Sequence, residues 1–337
     1  MINYVYQLVT PQFFSIKMDE VDIAGKVVVR PKFMSICHAD QRYYQGNRDS
    51  QVLDEKLPMA LIHECSGVVL EDRSGCFKVG QEVVMIPNMI QRKLGHIYEN
   101  YDEMSVFLSS GGNGFMREFV DLPADRVIPC DGIPLNIACL CEFYSVAVHA
   151  VNRMLSCAHE QRDNIAIWGD GSLSYVIASA IKVKLPDAKV TVIGRNMRKL
   201  SRFSFVNKTY LSYSLPKEFT FDHAFECAGG EGSYEAINEI IEHIKPQGSV
   251  VMLGVSENKV AINTRMLLEK GLTVVGSSRS GKQDFEESVE LMRTQRIRRR
   301  LGSIIFEDEP VKSIDDIHRV FATDLNTPFK TVFNWKL

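Results

Sequence analysis

Apolar and polar positions follow two different rhythms along this 337-residue chain. In the first ~130 residues, short β-type runs are broken by glycine, proline and polar turns, as at residues 26–30 (KVVVR), 66–70 (SGVVL) and 82–86 (EVVMI). Residues 88–114 are polar and end in a Ser/Gly cluster, which predicts a long excursion from these strands. The first part of the chain is therefore predicted to be β-rich.

After residue 142 strand-like runs alternate with helical patterns. The predicted strands are residues 164–168, 189–193, 221–226, 249–253 and 272–276, and the predicted helices are residues 172–184 and 233–244. Short buried strands that alternate with helices indicate βαβ units in a parallel sheet. The tail returns to an irregular mix that ends in residues 330–335 and is able to rejoin the first domain.

Composition narrows the class of protein. Hydrophobic residues make up 45% and charged residues 24%, the ordinary balance of a globular protein, and the net charge of −3 argues against a general nucleic-acid binder. No apolar run approaches the roughly 18 residues of a membrane span, and the first ten residues lack the features of a secretory signal. Because the eight cysteines include no C-x-x-C pair, reduced thiols in a cytoplasmic enzyme are expected.

A candidate phosphate cradle lies at residues 165–174 (IAIWGDGSLS). A predicted strand runs into Gly169 and Gly171 and then into a helix, where glycines permit a tight turn and backbone N–H groups can approach a pyrophosphate. Ser174 stands where the third glycine of the fingerprint is usual, and serine is small enough for close packing. We predict that Gly169, Gly171, Ser172 and Leu173 bind a dinucleotide in a Rossmann domain.

The end of the next predicted strand indicates which dinucleotide is bound. NAD enzymes usually place Asp or Glu there to hold the ribose 2′-hydroxyl, whereas this strand ends in Gly194 and Arg195, with Lys199 close behind. A guanidinium can bind a 2′-phosphate that a carboxylate would repel. The pattern favours NADPH, with Arg195 and Lys199 as cofactor-binding residues; the alternative is that Arg195 only ends a strand in solvent.

Three polar clusters are candidates for a metal site. Cys37 leads the sequence C-H-A-D, His63 and Glu64 precede Gly67, and Glu142 precedes an apolar stretch. Each alone has an ordinary explanation, as a buried thiol, a surface pair or a helix N-terminal charge. Together they match the three protein ligands and replaceable water that are typical of a catalytic zinc.

With these motifs the chain resembles the zinc-dependent medium-chain dehydrogenases/reductases. Residues 37–40 resemble that family's C-[HG]-[STA]-D motif, residues 63–67 its H-E-x-x-G motif, and residues 142–150 the E-P-L-S-V-x-x-H-A stretch of its polyol dehydrogenases. The resemblance implies one catalytic zinc near Cys37, His63, Glu64 and Glu142, with Asp40 orienting His63. Whether both glutamates bind zinc directly, or one through water, stays open.

A closer resemblance covers nearly the whole chain. Distinctive stretches are residues 41–46 (QRYYQG), 57–64 (LPMALIHE), 112–120 (GNGFMREFV), 221–230 (FDHAFECAGG), 254–257 (GVSE), 276–281 (GSSRSG) and 324–333 (DLNTPFKTVF). They resemble the ribulose-5-phosphate reductases that supply ribitol 5-phosphate for CDP-ribitol, a precursor of teichoic acids and capsular polymers. This resemblance implies NADPH and a phosphorylated ketopentose as substrate.

The predicted fold class is α/β, with a GroES-like, partly barrel-like catalytic domain and a doubly wound parallel-sheet Rossmann domain. The predicted boundaries are residues 1–143, completed by 280–337, for the catalytic domain and residues 144–279 for the NADP(H)-binding domain, with the site in the cleft. A homo-oligomer, a dimer, is expected. The sequence leaves open a complex with the ribitol-5-phosphate cytidylyltransferase that would use the product.

Several features depart from the family pattern. Residues 88–114 correspond to the lobe that carries four cysteines for a structural zinc in many relatives, but they contain no cysteine, so no second zinc is expected. Ala39 stands where alcohol dehydrogenases place the Ser or Thr of a proton relay. A zinc-bound water, Glu64 and His38 are therefore the candidate proton donors, in that order. Ile62 replaces a usual glycine, and Phe143-Tyr144 replaces Pro-Leu.

The substrate phosphate needs cationic or N–H-rich surroundings. Arg42 and Arg48, near Cys37, and Arg279 are the candidates, and the position of Tyr43 matches a substrate-facing aromatic of sorbitol-type relatives. For each arginine the alternative is an ordinary surface residue, which is the commonest kind of arginine.

Parts of the sequence also fit three other functions. Residues 276–283 (GSSRSGKQ) nearly spell a P-loop, but Gln283 lacks the hydroxyl that would hold Mg²⁺. A basic cluster (Arg293, Arg296, Arg298, Arg299 and Arg300) suggests nucleic-acid or partner binding, with a solvated helix end as the alternative. An oxidative polyol or polyol-phosphate dehydrogenase with NAD(P)⁺ fits the same ligands and differs only in direction.

Overall fold

The computed structural model describes residues 1–337. The chain divides into two compact units. We call Met1–Ser145 with Ser280–Leu337 the split unit, because two separate stretches of chain build it, and Val146–Arg279 the central unit.

Ten strands form in the first stretch of the split unit. They are β1 (Ile2–Thr10), β2 (Phe13–Glu20), β3 (Val27–Ser35), β4 (Met59–Ala60), β5 (Glu64–Asp72), β6 (Glu82–Met85), β7 (Asn88–Met89), β8 (Val106–Phe107), β9 (Val120–Leu122) and β10 (Val127–Pro129). The predicted strands at 26–30, 66–70 and 82–86 fall within or overlap β3, β5 and β6. β3 runs further than predicted because its pairing with β5 continues past Pro31 through a register shift.

The helices that begin in this part of the chain are α1 (His38–Tyr44), α2 (Ser50–Lys56), α3 (Leu135–Ala138) and α4 (Cys141–Cys157), which belongs to the central unit from Val146 onward. The excursion at residues 88–114 begins with the small β7–β8 ladder and contains a single 3₁₀ turn, Glu99–Tyr101. Arg126, which is 1% exposed, donates to Glu99 at 2.8 Å, and Arg92 pairs with Asp102. Ion pairs therefore fasten this segment.

The central unit is a parallel six-stranded sheet with helices between its strands. Its elements are β11 (Asn164–Trp168), α5 (Ser172–Lys184), β12 (Lys189–Gly194), α6 (Met197–Leu200), β13 (Lys208–Leu211), β14 (Phe221–Glu226), α7 (Ser233–His243), β15 (Ile244–Met252), α8 (Thr264–Lys270) and β16 (Thr273–Gly276). The strand order is β13-β12-β11-β14-β15-β16, and every pairing is parallel. This is the doubly wound sheet that the alternation of strands and helices predicts.

The tail is regular, so the expected irregular mix is wrong. It forms α9 (Lys282–Met292), α10 (Gln295–Ile304), β17 (Ile305–Val311), α11 (Ile314–Asp324) and β18 (Lys330–Trp335). Buried Ile317, Val320 and Phe321 recur at helical spacing in α11. β18 pairs antiparallel with β3 and parallel with β17, so the tail supplies two strands of the sheet β10-β6-β5-β3-β18-β17.

An apolar core fills the split unit, where residues of β3, β5 and β18 such as Val29, Val69 and Phe333 are fully buried. In the central unit, the core includes Ala166, Ala224 and Val250 from three adjacent strands. None of the helices has both the length and the apolar character that crossing a membrane would require.

Candidate active site

The pairing of β3 with β5 brings three candidate ligands together. The ladder ends with Ser35 opposite Glu64, so Cys37, two residues past β3, lies beside the start of β5. The ligand atoms of Cys37, His63 and Glu64 all lie within 4.8 Å of one another. Residues separated in the sequence thus form one cluster, which we call the metal cluster.

The buried carboxylate of Asp40 contacts His63 and the backbone around the metal cluster. Its Oδ1 lies 3.6 Å from Nδ1 of His63 and accepts hydrogen bonds from Ser109 Oγ at 2.6 Å and from the Ile62 N–H at 3.0 Å, while Oδ2 accepts from the Cys37 N–H at 3.1 Å. Burial raises the pKa of Asp40, but the His63 imidazole and these donors lower it more. Burial lowers the pKa of His63, yet the negative groups of Asp40 and Cys37 outweigh burial and raise it well above its ordinary value.

Lys330 is the residue of this region that the sequence analysis missed. Its ammonium is buried, 4% exposed as a residue, and donates to Glu64 Oε1 at 2.7 Å and to the Ile36 carbonyl at 2.8 Å. It also lies 4.7 Å from the centre of the Phe143 ring. Burial lowers the pKa of Lys330, but the charges of Glu64 and Cys37 raise it more, so the ammonium stays protonated.

The donor atoms of the metal cluster are suited to a zinc ion. Oε2 of Glu64 is buried and has no hydrogen-bond partner, a costly state for a carboxylate oxygen unless something else satisfies it. A thiol, an imidazole and a carboxylate are the donors that Zn²⁺ prefers. The ammonium of Lys330 offsets one negative charge of this set.

Glu142 lies next to the metal cluster but outside the three-residue set. It stands in the first turn of α4 and is 6% exposed. Burial raises the pKa of Glu142 to about 7, with Glu64 adding to the rise and His63 opposing it. The Glu142 carboxyl therefore interacts electrostatically with both His63 and Glu64. That it binds zinc, directly or through water, stays a prediction.

Ile62 adopts the backbone conformation for which relatives use glycine. Its φ is 67°, although its side chain is β-branched and fully buried. The Ile62 N–H donates to Asp40, and its carbonyl accepts from the Phe115 N–H at 2.7 Å. These bonds hold the strained residue directly before His63, so the local geometry survives the departure from glycine.

The candidate substrate residues near Cys37 differ in what they contact. His38 is exposed at the start of α1. Arg42 is engaged by the Asn47 carbonyl at 3.3 Å, whereas the Arg48 guanidinium lies 4.6 Å above the Tyr43 ring and its buried Nε has no hydrogen-bond partner. Tyr43 is 1% exposed, so its ring supports Arg48 from below.

The near-P-loop at residues 276–283 does not build a phosphate site. Oε1 of Glu99 accepts from the Lys282 N–H at 2.8 Å at the start of α9, and a Cβ on Gly281 would lie 3.1 Å from the Glu99 side chain. A carboxylate thus occupies the helix N-terminus where a phosphate would bind. Arg279, the third phosphate candidate, ends the central unit with φ 58°.

The basic cluster lies on the amphipathic helix α10 and the turn before it. Ile297, Leu301 and Ile304 are buried on one face of α10, and the exposed arginines are Arg293, Arg296 and Arg299. Arg293 pairs with Glu290. This arrangement is typical of a solvated helix face.

The strand-to-helix turn of the central unit has the geometry of a dinucleotide cradle. Gly169 has φ 124°, and a Cβ there would lie 2.7 Å from Ser174 Oγ and 2.9 Å from the Cys227 carbonyl oxygen. A Cβ on Gly171, the N-cap of α5, would meet nothing within 4 Å. The first glycine is therefore required by packing, and the second leaves open space at the helix N-terminus.

Asp170, between the two glycines, ties this turn to the end of β12. Its Oδ2 accepts from the Arg195 N–H at 2.7 Å and from the Asn196 N–H at 2.6 Å. A Cβ on Gly194 would lie 2.6 Å from the Asp170 side chain, so glycine is needed there as well. The backbone of Arg195 is thereby fixed and only its side chain stays available to a ligand.

A cavity of ≈ 320 Å³, which we call the nucleotide pocket, opens beside this turn. Of the predicted cofactor residues, Gly169, Gly171, Arg195 and Lys199 line it, whereas Ser172 and Leu173 begin α5 outside the lining. Nη2 of Arg195 lies 2.5 Å from the carboxylate of Glu235, and both side chains are largely exposed.

Glu226 shapes another wall of the nucleotide pocket and was not anticipated. This residue ends β14, is fully buried, and accepts from the N–H groups of Ala228 at 2.8 Å, Gly229 at 3.1 Å and Gly254 at 3.0 Å. The carboxylate therefore holds the loop after β14, whose residues line the pocket, against the loop after β15.

Two family profiles match the chain. The Alcohol dehydrogenase GroES-like domain covers residues 23–133, and the Zinc-binding dehydrogenase domain covers residues 183–294. The chain is 52% identical to the ribulose-5-phosphate reductase of Streptococcus pneumoniae, over 100% of this chain and 98% of that protein. It is 46% identical to ribulose-5-phosphate reductase 1 of Staphylococcus aureus, over 99% of each.

The chain also resembles solved structures over nearly its whole length. The crystal structure of S. aureus TarJ in complex with NADPH superposes with a TM-score of 0.90 at 42% identity, over 100% of both chains. The galactitol-1-phosphate dehydrogenase of Escherichia coli, with a TM-score of 0.81 at 18% identity over 98% of this chain and 99% of that one, shares the fold. With its paired domains and full-length relatives, the chain belongs to the ribulose-5-phosphate reductases of the zinc-binding alcohol dehydrogenase family.

Proposed function

We propose that the protein is a zinc-dependent NADPH reductase that converts D-ribulose 5-phosphate to D-ribitol 5-phosphate, for CDP-ribitol and teichoic acid or capsule synthesis. The observation that carries this proposal is the buried donor set of Cys37, His63 and Glu64, with one Glu64 oxygen left without a partner. The full-length identity to ribulose-5-phosphate reductases supports the substrate, and the likeness to the NADPH complex of TarJ supports the cofactor.

Cys37, His63 and Glu64 would hold the zinc, with Glu142 as a further ligand, directly or through water. When bound, zinc supplies Lewis acidity to a carbonyl oxygen and NADPH supplies the hydride. Asp40 would orient the imidazole of His63, and Lys330 holds one oxygen of Glu64 while the other has no hydrogen-bond partner and is available to the metal. A zinc-bound water, Glu64 or His38, which is exposed next to Cys37, would pass the proton, in that order of preference.

The cofactor would lie along the nucleotide pocket. The open space at Gly171 admits the pyrophosphate to the backbone N–H groups of Ser172 and Leu173 at the start of α5. The side chains of Arg195 and Lys199 would bind the 2′-phosphate.

Of the two candidate arginines near Cys37, Arg48 is the better suited to the substrate phosphate. Its guanidinium is fixed by stacking on Tyr43 yet keeps an unpartnered Nε, whereas Arg42 already donates to the Asn47 carbonyl. Because hydrogen bonds to charged groups contribute about 1.5–3 kcal/mol, Arg48→Gln should raise KM for ribulose 5-phosphate about 10- to 100-fold. Arg265→Gln, a change at an 85% exposed arginine, is the control.

Assembly and location belong to the same proposal. The edge strand β16 exposes Val274, and Leu268 and Val255 in the same unit are 82% and 70% exposed, which suits a homodimer built on this edge. A complex with the cytidylyltransferase that consumes ribitol 5-phosphate would shorten the path of the product. The eight unpaired cysteines and the use of NADPH support a cytoplasmic location.

A combined metal and activity assay tests the proposed function. Purified protein should contain one zinc per chain and oxidise NADPH with D-ribulose 5-phosphate, but not with unphosphorylated D-ribulose. Running the reaction in reverse with ribitol 5-phosphate and NADP⁺ would separate a reductase from an oxidative dehydrogenase. Metal-free protein with full activity would refute the proposal.

A further inference from the structure

The nucleotide pocket contains three acidic side chains, and two of them are committed elsewhere. Oδ2 of Asp170 accepts two backbone N–H groups at the end of β12, and Oε2 of Glu239 accepts from Trp168 Nε1 at 2.8 Å. Glu235 lies one turn before Glu239 on α7. Its partner is the guanidinium of Arg195.

The Arg195 guanidinium is the group that the proposed function assigns to the 2′-phosphate. This guanidinium lies against the start of α7, where a Cβ built on Gly232 would be 3.7 Å from Nη2 of Arg195. The Glu235 carboxylate therefore stands beside the cation that must receive the phosphate. Glu235 accepts a hydrogen bond from Nη2 of this guanidinium, so a phosphate that approaches through Nη2 must displace the carboxylate or share the cation with it.

We propose that Glu235 competes with the cofactor's 2′-phosphate for Arg195, and so determines how strongly the enzyme prefers NADPH to NADH. A 2′-phosphate carries about −1.5 to −2 charge and displaces the singly charged carboxylate. A ribose 2′-hydroxyl cannot displace it and instead donates a hydrogen bond to it. Glu235 thus weakens NADPH binding and supports NADH binding, in the role that NAD enzymes give to an acidic residue at the end of the second strand.

The size of the effect follows from exposure. The side chains of Arg195 and Glu235 are 63% and 69% exposed, and exposed ion pairs are weak and screened by salt. Removing the competing charge should therefore change affinity by about two- to fivefold, and the change should fade at high ionic strength.

Calorimetric titration of the full chain tests this inference without turnover. The probes are adenosine 2′,5′-bisphosphate, which carries the 2′-phosphate, and adenosine 5′-monophosphate, which lacks it. Glu235→Gln should tighten the bisphosphate about two- to fivefold at low salt and should leave the monophosphate unchanged or weaker. Glu231→Gln is the matched control, since this exposed glutamate precedes α7 but does not line the pocket.

A double-mutant cycle separates the inference from the proposed function on which it rests. If Arg195→Gln weakens the bisphosphate but not the monophosphate, Arg195 reads the 2′-phosphate, and the Glu235→Gln gain should vanish in the Arg195→Gln background. A gain that persists there, that equals the gain from Glu231→Gln, or that affects both probes alike would overturn the competition. If Arg195→Gln changes neither probe selectively, the proposed 2′-phosphate contact fails, and the competition fails with it.

Discussion

The metal cluster and the nucleotide pocket are built on opposite principles. The metal cluster depends on buried charged side chains from elements far apart in the sequence: Lys330 pairs with Glu64, and Asp40 lies against His63. The nucleotide pocket is shaped by the local turn Gly169–Asp170–Gly171 and by the carboxylates of Asp170 and Glu226, whose partners are backbone N–H groups. The first should tolerate almost no change of charge, whereas the second should tolerate modest changes.

Loss of the Cys37 thiol should have the largest effect. Cys37→Ser removes the only sulfur of the metal cluster, so bound zinc should be lost and kcat/KM should fall about 10³-fold or more, in line with the several kcal/mol that a Lewis acid provides. Cys157→Ser, at an exposed cysteine, is the control and should keep both properties. If Cys37→Ser kept its zinc and activity, the metal cluster would not be the less tolerant of the two regions, and the contrast with the nucleotide pocket would fail.

Removal of Lys330 should be nearly as damaging, through stability. Lys330→Met leaves the buried Glu64 carboxylate without its cation, and breaking a buried pair in this way costs about 3–5 kcal/mol. Urea unfolding of this variant beside Lys336→Met, a change at an exposed lysine, measures the loss. Equal stability of the two variants would mean that the buried pair does not hold the cluster.

In contrast to the buried, charged Lys330, His223 is a buried titratable residue that the central unit keeps neutral. Its Nδ1 accepts from the Ser249 N–H at 3.1 Å, and Nε2 donates to the Gln161 carbonyl at 3.2 Å. Burial, with His159 adding to it, lowers the pKa of His223 to about 4 from 6.5. The unfolded chain therefore binds more protons between these values, and the stability from neutral His223 is present above pH 6.5 and lost as pH falls toward 4.

The free energy of unfolding should consequently fall by about 2 kcal/mol between pH 7 and pH 5 because of this one residue. Asparagine in its place keeps an acceptor for the Ser249 N–H but does not titrate. Denaturant unfolding at both pH values should show a drop smaller by that amount in His223→Asn. An identical drop in both proteins would remove His223 from the account.

Asp170→Asn should produce the smallest change. Asparagine keeps an oxygen for the Arg195 and Asn196 N–H groups, but a neutral acceptor makes hydrogen bonds about half as strong. KM for NADPH should rise about two- to fourfold, with thermal stability little changed. Steady-state kinetics beside Asp187→Asn, an exposed aspartate, would show it, and a loss on the scale of Cys37→Ser would contradict a backbone-built pocket.

The same contrast explains what the sequence could predict. The turn at Gly169 is local, so β11 and α5 have the bounds that the pattern predicts, Asn164–Trp168 and Ser172–Lys184. Cys37, His63 and Glu64 were identified by motif, and β3–β5 pairing brings them together. Their roles as ligands stay a prediction.

Lys330 could not be found in this way. It is a single lysine on a strand that was read as part of an irregular tail, and only the pairing of β18 with β3 carries it to Glu64. Its one signal was a charged residue opening an apolar run. Glu226 and Asp170 were missed because their partners are backbone N–H groups, which leave no mark on the sequence.

Zinc K-edge X-ray absorption on protein loaded with one equivalent of zinc tests the central claim most directly. A site built on Cys37, His63 and Glu64 predicts one sulfur at about 2.3 Å with nitrogen and oxygen neighbours at about 2.0–2.2 Å, and Cys37→Ser should retain no zinc with a sulfur neighbour. A spectrum without sulfur, or one that Cys37→Ser leaves unchanged, would contradict it.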